Sequence, residues 1–316
     1  MSVLEFKQRP PETAKPAAIS FKNVLYATDF SPTSEAALPY ATAICRRFGA
    51  MLHIAHVLSE TSLLMMAGGV DYMTMDKLLD EAKAGALAKV EHIRQRLGTI
   101  PGQCYTEYGK VWPNLNTIAA KNKIDLIVVG THGRGGLGKL LLGSVAEEIL
   151  RHATCPVLTV GPNVSDRRLL PEFDSDGGTL APVELNLQRI LYAAAFTSAS
   201  QPAGTVALAL AEETRAHLTL LHVLENYANL GSRPGPIEES VERLQAFAHD
   251  APLADSPEIV VEFGSPWECI LRTAVERCAE LIVLGASPRE RTTHVPWSTV
   301  HRVVAQSPCP VLTVRS

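Results

Sequence analysis

The sequence predicts an α/β protein built as two tandem doubly wound domains, each a parallel sheet flanked by helices. Three observations predict it. The chain of 316 residues is written twice: NVLYATDFS (23–31) returns as RILYAAAFT (189–197) and LHIAHVL (52–58) as LTLLHVL (218–224), both 166 residues later. DLIVVG (125–130) returns as ELIVLG (280–285) at an offset of 155, and CPVLTV (155–160) is repeated letter for letter at 309–314. Within a copy, short apolar runs alternate with longer stretches of helical periodicity, which implies parallel strands joined by crossover helices on both faces. Finally, a composition of 46% hydrophobic and 20% charged residues is that of a folded chain long enough for two cores.

The elements of the first copy follow in order. Residues 24–27 have the length and content of a buried strand, and a helix over 34–48 follows with Ser34 as its cap. Pro39, just past the first turn of that helix, makes it start late or bend. After a strand over 52–57, Met65 and Met66 and the residues behind them read as an adaptable loop lying over the site. The next helix, over 76–97, carries Leu78, Leu79, Ala82, Ala86, Val90, Ile93 and Leu97 at three- and four-residue steps, a stripe that packs on a sheet. A strand over 104–108, a helix over 113–121, strands over 126–129 and 157–160 and a helix over 144–152 complete the copy. The stretch 161–186, rich in Gly, Pro, Asp and Ser, is a linker, expected to stay off both sheets.

Several function classes are disfavoured from the outset. Lys and Arg number 29 against 33 Asp and Glu, a net charge of -4, so there is no footprint for nucleic acid. No stretch approaches the ~18 apolar residues of a spanning helix, and charges at Glu5, Lys7, Arg9, Glu12 and Lys15 leave no signal peptide, so the reading is cytoplasmic with no membrane partner. Six cysteines without a C-x-x-C pair fit a reducing compartment and argue against structural zinc. His56 and His222 hold equivalent strand positions without a metal-binding partner nearby in sequence and read as satisfied core histidines; Cys155 and Cys309 read as small buried hydrophobes.

The strongest chemical signal is GTHGRGGLGKLLLGS (130–144), directly after a strand and running into a helix. Backbone amides unobstructed by side chains, with the positive end of a helix dipole behind them, suit a phosphate. Gly133, Gly135 and Gly138 spell G-x-G-x-x-G, but a dinucleotide fingerprint belongs to the first strand-helix turn and needs an acid at the end of the next strand, where Thr159, Val160 and Gly161 stand. Gly133, Gly138 and Lys139 nearly make a P-loop, which fails at Leu140, where Ser or Thr must reach magnesium. The pattern that fits is G-x2-G-x9-G-S: Gly130, Gly133, Gly143 and Ser144.

On that pattern, and on the whole stretch 125–160, the sequence resembles the universal stress protein family in its tandem form. The resemblance implies five parallel strands per half in the order 3-2-1-4-5, in domains 20–161 and 187–316 joined by a linker 162–186. A crevice then opens between strands one and four. It implies bound ATP, with ADP or AMP as alternatives, and Mg²⁺. The ligand-binding positions it marks are Ala27, Thr28, Asp29, Val57, Val129, Gly130, His132, Gly133, Arg134, Gly143, Ser144 and Val145. By its position alone Asp29 is an Asx turn or helix cap; the resemblance makes it the acid that meets ribose or magnesium. Val57 meets adenine or is ordinary core, and His132 donates to phosphate or stabilises its turn.

The expected function is a nucleotide-binding protein that senses or responds to nucleotide state under stress, non-catalytic or very slow. Its rivals are a slow ATPase or self-phosphorylating enzyme using Ser144 or Thr131 as acceptor, and an adaptor without ligand. Single-domain members of the family dimerise through the fifth strand, so 157–160 and 311–314 are expected to meet antiparallel about a pseudo-twofold axis. Further pairing into a homodimer and protein partners of unspecified kind complete the expectation. In the second copy Ala195 stands opposite Asp29, Pro288 opposite Gly133 and Trp297 opposite Gly143, although Ser298, Arg289 and Arg291 remain. One nucleotide per chain is therefore expected, in the first half.

Overall fold

Each apolar run of the sequence must bury both faces, and the chain does this by sandwiching one sheet between two layers of helices. The computed structural model describes residues 19–60, 63, 72–131, 142–164, 185–197, 200–225, 235–286 and 299–315. The first half runs β1 (Asn23–Ala27), α1 (Pro32–Glu35), α2 (Leu38–Phe48), β2 (Met51–Leu58), α3 (Tyr72–Arg96), β3 (Gly102–Tyr108), α4 (Val111–Lys121), β4 (Leu126–Gly130), α5 (Ser144–His152) and β5 (Val157–Val160). The second half runs β6 (Arg189–Ala194), α6 (Gln201–Thr214), β7 (His217–Leu224), α7 (Gly235–Ala248), β8 (Glu258–Phe263), α8 (Pro266–Glu276), β9 (Leu281–Ala286), α9 (Thr299–Gln306) and β10 (Val311–Arg315). Among the described residues no helix is long and apolar enough to cross a membrane.

The expected helix over 34–48 is two helices. Ser31, not Ser34, is the cap: its Oγ accepts from Ser34 N at 3.2 Å and starts the four-residue α1. Pro39 has no N–H to bond the carbonyl four residues back, so the helix cannot run through and restarts as α2 with Pro39 in its first turn, where a missing donor costs nothing. The stripe on α3 buries Ala86 and Val90, with Leu97 buried just past the helix end and Leu78, Leu79, Ala82 and Ile93 half-buried. The loop at Met65 and Met66 and linker residues 165–184 lie outside the described residues. At the linker's two described ends, Val164 and Leu185 pack against the core and belong to no strand.

The strands form one ten-stranded sheet in the order β3-β2-β1-β4-β5-β10-β9-β6-β7-β8. Each half is parallel with its strands in the order 3-2-1-4-5, and the halves join where β5 meets β10 antiparallel, with Leu158 opposite Leu312, Thr159 opposite Val311 and Val157 opposite Thr313. Thr159 Oγ1 adds a hydrogen bond to Val311 O at 3.1 Å. The chain is thus an intramolecular pseudo-dimer. Pairing the fifth strands removes two edges that would otherwise display unpaired N–H and C=O groups.

Both cores cross the joint. On one face α2 and α3 of the first half and α6 and α7 of the second share a cluster that contains Tyr26, Leu158, Tyr192 and Leu312. On the other, α4, α5, α8 and α9 share a cluster containing Ile127, Val157, Ile282 and Val311. On the first face the Arg47 guanidinium of α2 donates to Glu213 O of α6 at 2.7 Å and pairs with the Glu213 carboxylate at 2.7 Å; the two residues are equivalent positions of the repeat. A narrow apolar void of about 30 Å³ lies beneath, lined by Tyr40, Ile44, Leu158, Leu210 and Leu312 among others.

Because the cores are continuous, the two halves are expected to unfold in a single transition. Leu312→Ala, which enlarges the void at the joint, should cost about 2–5 kcal/mol and leave one transition. Differential scanning calorimetry checks this: two resolved peaks in the unaltered chain, or a loss under about 1 kcal/mol, would contradict the shared core.

Candidate functional site

The switch in winding direction lies between β1 and β4, because β1 has β2 on one side and β4 on the other. In an open α/β sheet the crossovers diverge there and leave a crevice at the C-terminal ends of the strands. Register decides what lines it. Ala27 pairs with Ala55 on β2 and with Val129 on β4, so Val57, two residues on from Ala55, stands level with Asp29. Ala27 and Val129 are buried on the α4/α5 face and Val57 packs against the same cluster, which makes an apolar floor.

Asp29 follows β1 by two residues and is half-buried. Its Oδ1 accepts from Ser31 N at 3.0 Å, an Asx turn. Thr28 faces the other way. Its N–H donates to Ala55 O at 2.9 Å, its carbonyl accepts from His56 Nδ1 at 2.7 Å, and its Oγ1 accepts from Phe30 N at 3.0 Å and lies 3.1 Å from Ser34 Oγ. Each polar group of Thr28 has a partner on β2 or in its own turn, so this residue builds the site's wall instead of offering it a free group.

The duplicated half serves as an internal control on this turn. Phe30 has φ 61° and Phe196 has φ 50°, left-handed values costly for an aromatic residue, and each ring lies against a histidine, 4.4 Å from His56 and 4.1 Å from His222. His222 Nδ1 donates to Ala194 O at 2.7 Å as His56 does to Thr28 O. A carbonyl cannot donate, so Nδ1 carries the proton in both, and burial holds the His222 pKa below the ordinary histidine value. Both histidines are fold elements, and their repetition at equivalent strand positions was the signal. The carboxylate is different. Where the second half has Ala195, Thr197 N takes Ser200 Oγ at 3.2 Å instead, so the turn closes without an acid. The carboxylate of Asp29 thus has no counterpart in the second half's turn.

The glycine-rich loop begins at Gly130, the last residue of β4. A Cβ there would lie 2.7 Å from Thr33 O and 2.9 Å from Ser34 N, so only glycine lets α1 close over the end of the strand. Thr131 is fully buried; its N–H donates to Val160 O at 2.9 Å and its carbonyl accepts from Gly143 N at 2.7 Å, which clips the two ends of the loop together. His132, Gly133 and Arg134 lie outside the described residues. Gly143 is the N-cap of α5, with φ −64° and ψ 143°, a conformation open to any residue, and it has no side chain with which to accept from the first-turn N–H groups. Ser144 is exposed at this helix start and Val145 half-buried beside it. The arrangement presents helix N–H donors next to one carboxylate above an apolar floor. The clip at Thr131 escaped the sequence reading because it rests on a contact with β5. Among the described residues no three His, Cys, Asp or Glu side chains gather to hold a metal ion.

Comparison with known proteins places these features in context. The universal stress protein family model matches residues 20–161 and 186–315. A universal stress protein of Methanocaldococcus jannaschii is 33% identical over 142 residues, covering 44% of this chain and 82% of that protein. A universal stress protein from Archaeoglobus fulgidus superposes with a TM-score of 0.67 over 93% of this chain and 98% of that one, at 21% identity, a likeness of fold. A universal stress protein solved in complex with cAMP, 26% identical, covers 45% of this chain and 98% of that one with a TM-score of 0.30.

The two positions that meet at the turn should separate on substitution. Asp29→Ala is expected to change stability by less than about 1 kcal/mol, because Ser34 can do for Ser31 what Ser200 does for Thr197, whereas Gly130→Ala should cost roughly 1–3 kcal/mol through overpacking. Urea titration of both variants checks the contrast, and an Asp29 variant as unstable as the Gly130 variant would refute it.

Proposed function

The chain belongs to the universal stress protein family, and from that premise we propose that its first half binds one nucleoside phosphate, ATP with ADP or AMP as alternatives, together with Mg²⁺. The observation that carries the reading is the pairing of the uncapped start of α5, clipped to Thr131 through Gly143, with a carboxylate that the equivalent turn of the second half does without. Ala27, Val57 and Val129 offer a nucleobase an apolar floor. Gly130, His132, Gly133, Arg134, Gly143, Ser144 and Val145 are the residues assigned to the phosphates, where amide donors and helix dipole stabilise negative charge. Asp29 takes a ribose hydroxyl or serves as the one carboxylate toward Mg²⁺, whose remaining ligands are then phosphate oxygens and water. Thr28 supports the site through the turn.

This set of groups binds and does not drive turnover, which suits a cytoplasmic sensor of nucleotide state acting through protein partners or a further homodimer. The rival is slow self-phosphorylation. Thr131 is buried, so the acceptor in that case is the exposed Ser144 hydroxyl, which would lose its proton as its oxygen bonds the γ-phosphorus and the bond to ADP breaks. We assign the nucleotide to domain 20–161 and treat 187–316, beyond a linker at 162–186, as a scaffold: Ala195 replaces Asp29, and Pro288 and Trp297, outside the described residues, replace two loop glycines.

Mass spectrometry of nucleotide released from freshly purified protein, followed by titration calorimetry with ATP, ADP, AMP and cAMP, tests the reading. The expected stoichiometry is about 1 per chain, and Asp29→Asn should weaken Mg²⁺-dependent binding about tenfold. Gly143→Trp, which copies the second loop into the first, should abolish binding with the fold intact by circular dichroism. Two equivalent sites, or no binding by any of the four, would overturn it. Label from γ-phosphate appearing on the protein and lost in Ser144→Ala would decide for the rival.

A further inference from the structure

The two copies of CPVLTV are identical, yet the residue that follows differs: Gly161 in the first, Arg315 in the second. That glycine sits at the joint between the halves. Thr131 N is bonded to Val160 O and Thr131 O to Gly143 N, so both ends of the glycine loop ride on the last residue of β5. A Cβ on Gly161, the next residue, would stand 3.4 Å from Thr131 Oγ1 and 3.6 Å from Val304 O. The bare Cα therefore lies between the loop base of the first half and the last turn of α9 from the second. Asn163 Nδ2 donates to Gln306 O, the end of α9, at 3.4 Å, and Val164 N closes the turn on Gly161 O at 3.3 Å. α9 has little room to give way, because Val303 and Val304 are buried in the shared core.

We propose that α9 of the second half is a positioning element for the anion loop of the first: through Gly161 it sets where Thr131, and hence Gly143 and the start of α5, come to rest. The half without an intact loop thereby controls the affinity of the half that has one. A movement of α9 reaches Thr131 through Gly161, which lies between them, and the two hydrogen bonds of Thr131 carry it to the helix start where a phosphate binds. The affinity arm of this proposal rests on the nucleotide reading above; the structural arm does not.

The experiment uses the full chain with Gly161→Ala, Gly161→Val, Asn163→Ala and Arg315→Ala, and reads amide hydrogen exchange at Thr131 and Gly143 without nucleotide, the Kd for Mg·ATP and the thermal midpoint. An alanine Cβ makes ordinary van der Waals contacts here, so Gly161→Ala should stay within about twofold of the unaltered chain in exchange and in Kd. The γ-methyls of Gly161→Val reach into Thr131 and Val304, and Gly143 exchange should quicken about tenfold with a comparable loss of affinity. Asn163→Ala, which leaves the core untouched and guards against a valine variant that fails to fold, should quicken Gly143 exchange about threefold with the thermal midpoint unchanged. Arg315→Ala, at the opposite joint, should change neither amide. If Gly143 exchange quickens but no variant and no unaltered chain binds ATP, the coupling stands and the nucleotide reading fails. If exchange at Gly143 is unchanged in Asn163→Ala and in any folded Gly161→Val protein, the proposal is wrong.

Discussion

The antiparallel pairing of β5 with β10 is the constraint on which the rest of the molecule depends. It spans only three residue pairs, yet it aligns two sheets into one and lets the helices of both halves share a core on each face. A parallel half-sheet ending in a bare fifth strand would expose a row of backbone donors and acceptors. Here each half supplies the other's missing neighbour. The same pairing runs the strands of the two halves in opposite directions, so the C-terminal end of β5, where the loop base sits, faces the end of α9. The proximity of Gly161 to Val304 follows from the sheet geometry and needs no interaction designed for it.

Duplication within one chain also separates what the fold requires from what the chemistry requires. The left-handed phenylalanine, the histidine that donates to the carbonyl at the end of the first strand and the serine whose hydroxyl donates to the carbonyl three residues back occur in both halves. They are the machinery of a tight strand-to-helix connection. Asp29 and the loop glycines beyond Gly130 occur only in the first, while Gly130 has its counterpart in Gly285. Conversely, Gly130 mixes the two: it belongs to the loop pattern, but its lack of a side chain is already required by Thr33 and Ser34. A residue can therefore match a binding motif while its identity is set by packing, and Thr28, whose polar groups are taken up by β2 and its own turn, is a second case.

The sequence by itself determined the architecture, because repetition and apolar periodicity are local properties. Every strand of the first half could be located to within a residue or two from its own letters, and the glycine-rich loop could be placed after β4. The cap of the first helix was less legible: Ser31 and Ser34 are both competent, and only the hydrogen bond from Ser34 N to Ser31 Oγ distinguishes them. What the tertiary structure alone decided are relations between residues far apart in the chain: the clip of Thr131 on Val160, the orientation of Thr28 away from the crevice, the packing of the linker's ends on the core, and the seating of α9 beside Gly161. The physical reason is that hydrogen-bond geometry and van der Waals exclusion act at 3 to 4 Å across the fold, whereas sequence periodicity registers only which face of each element is apolar.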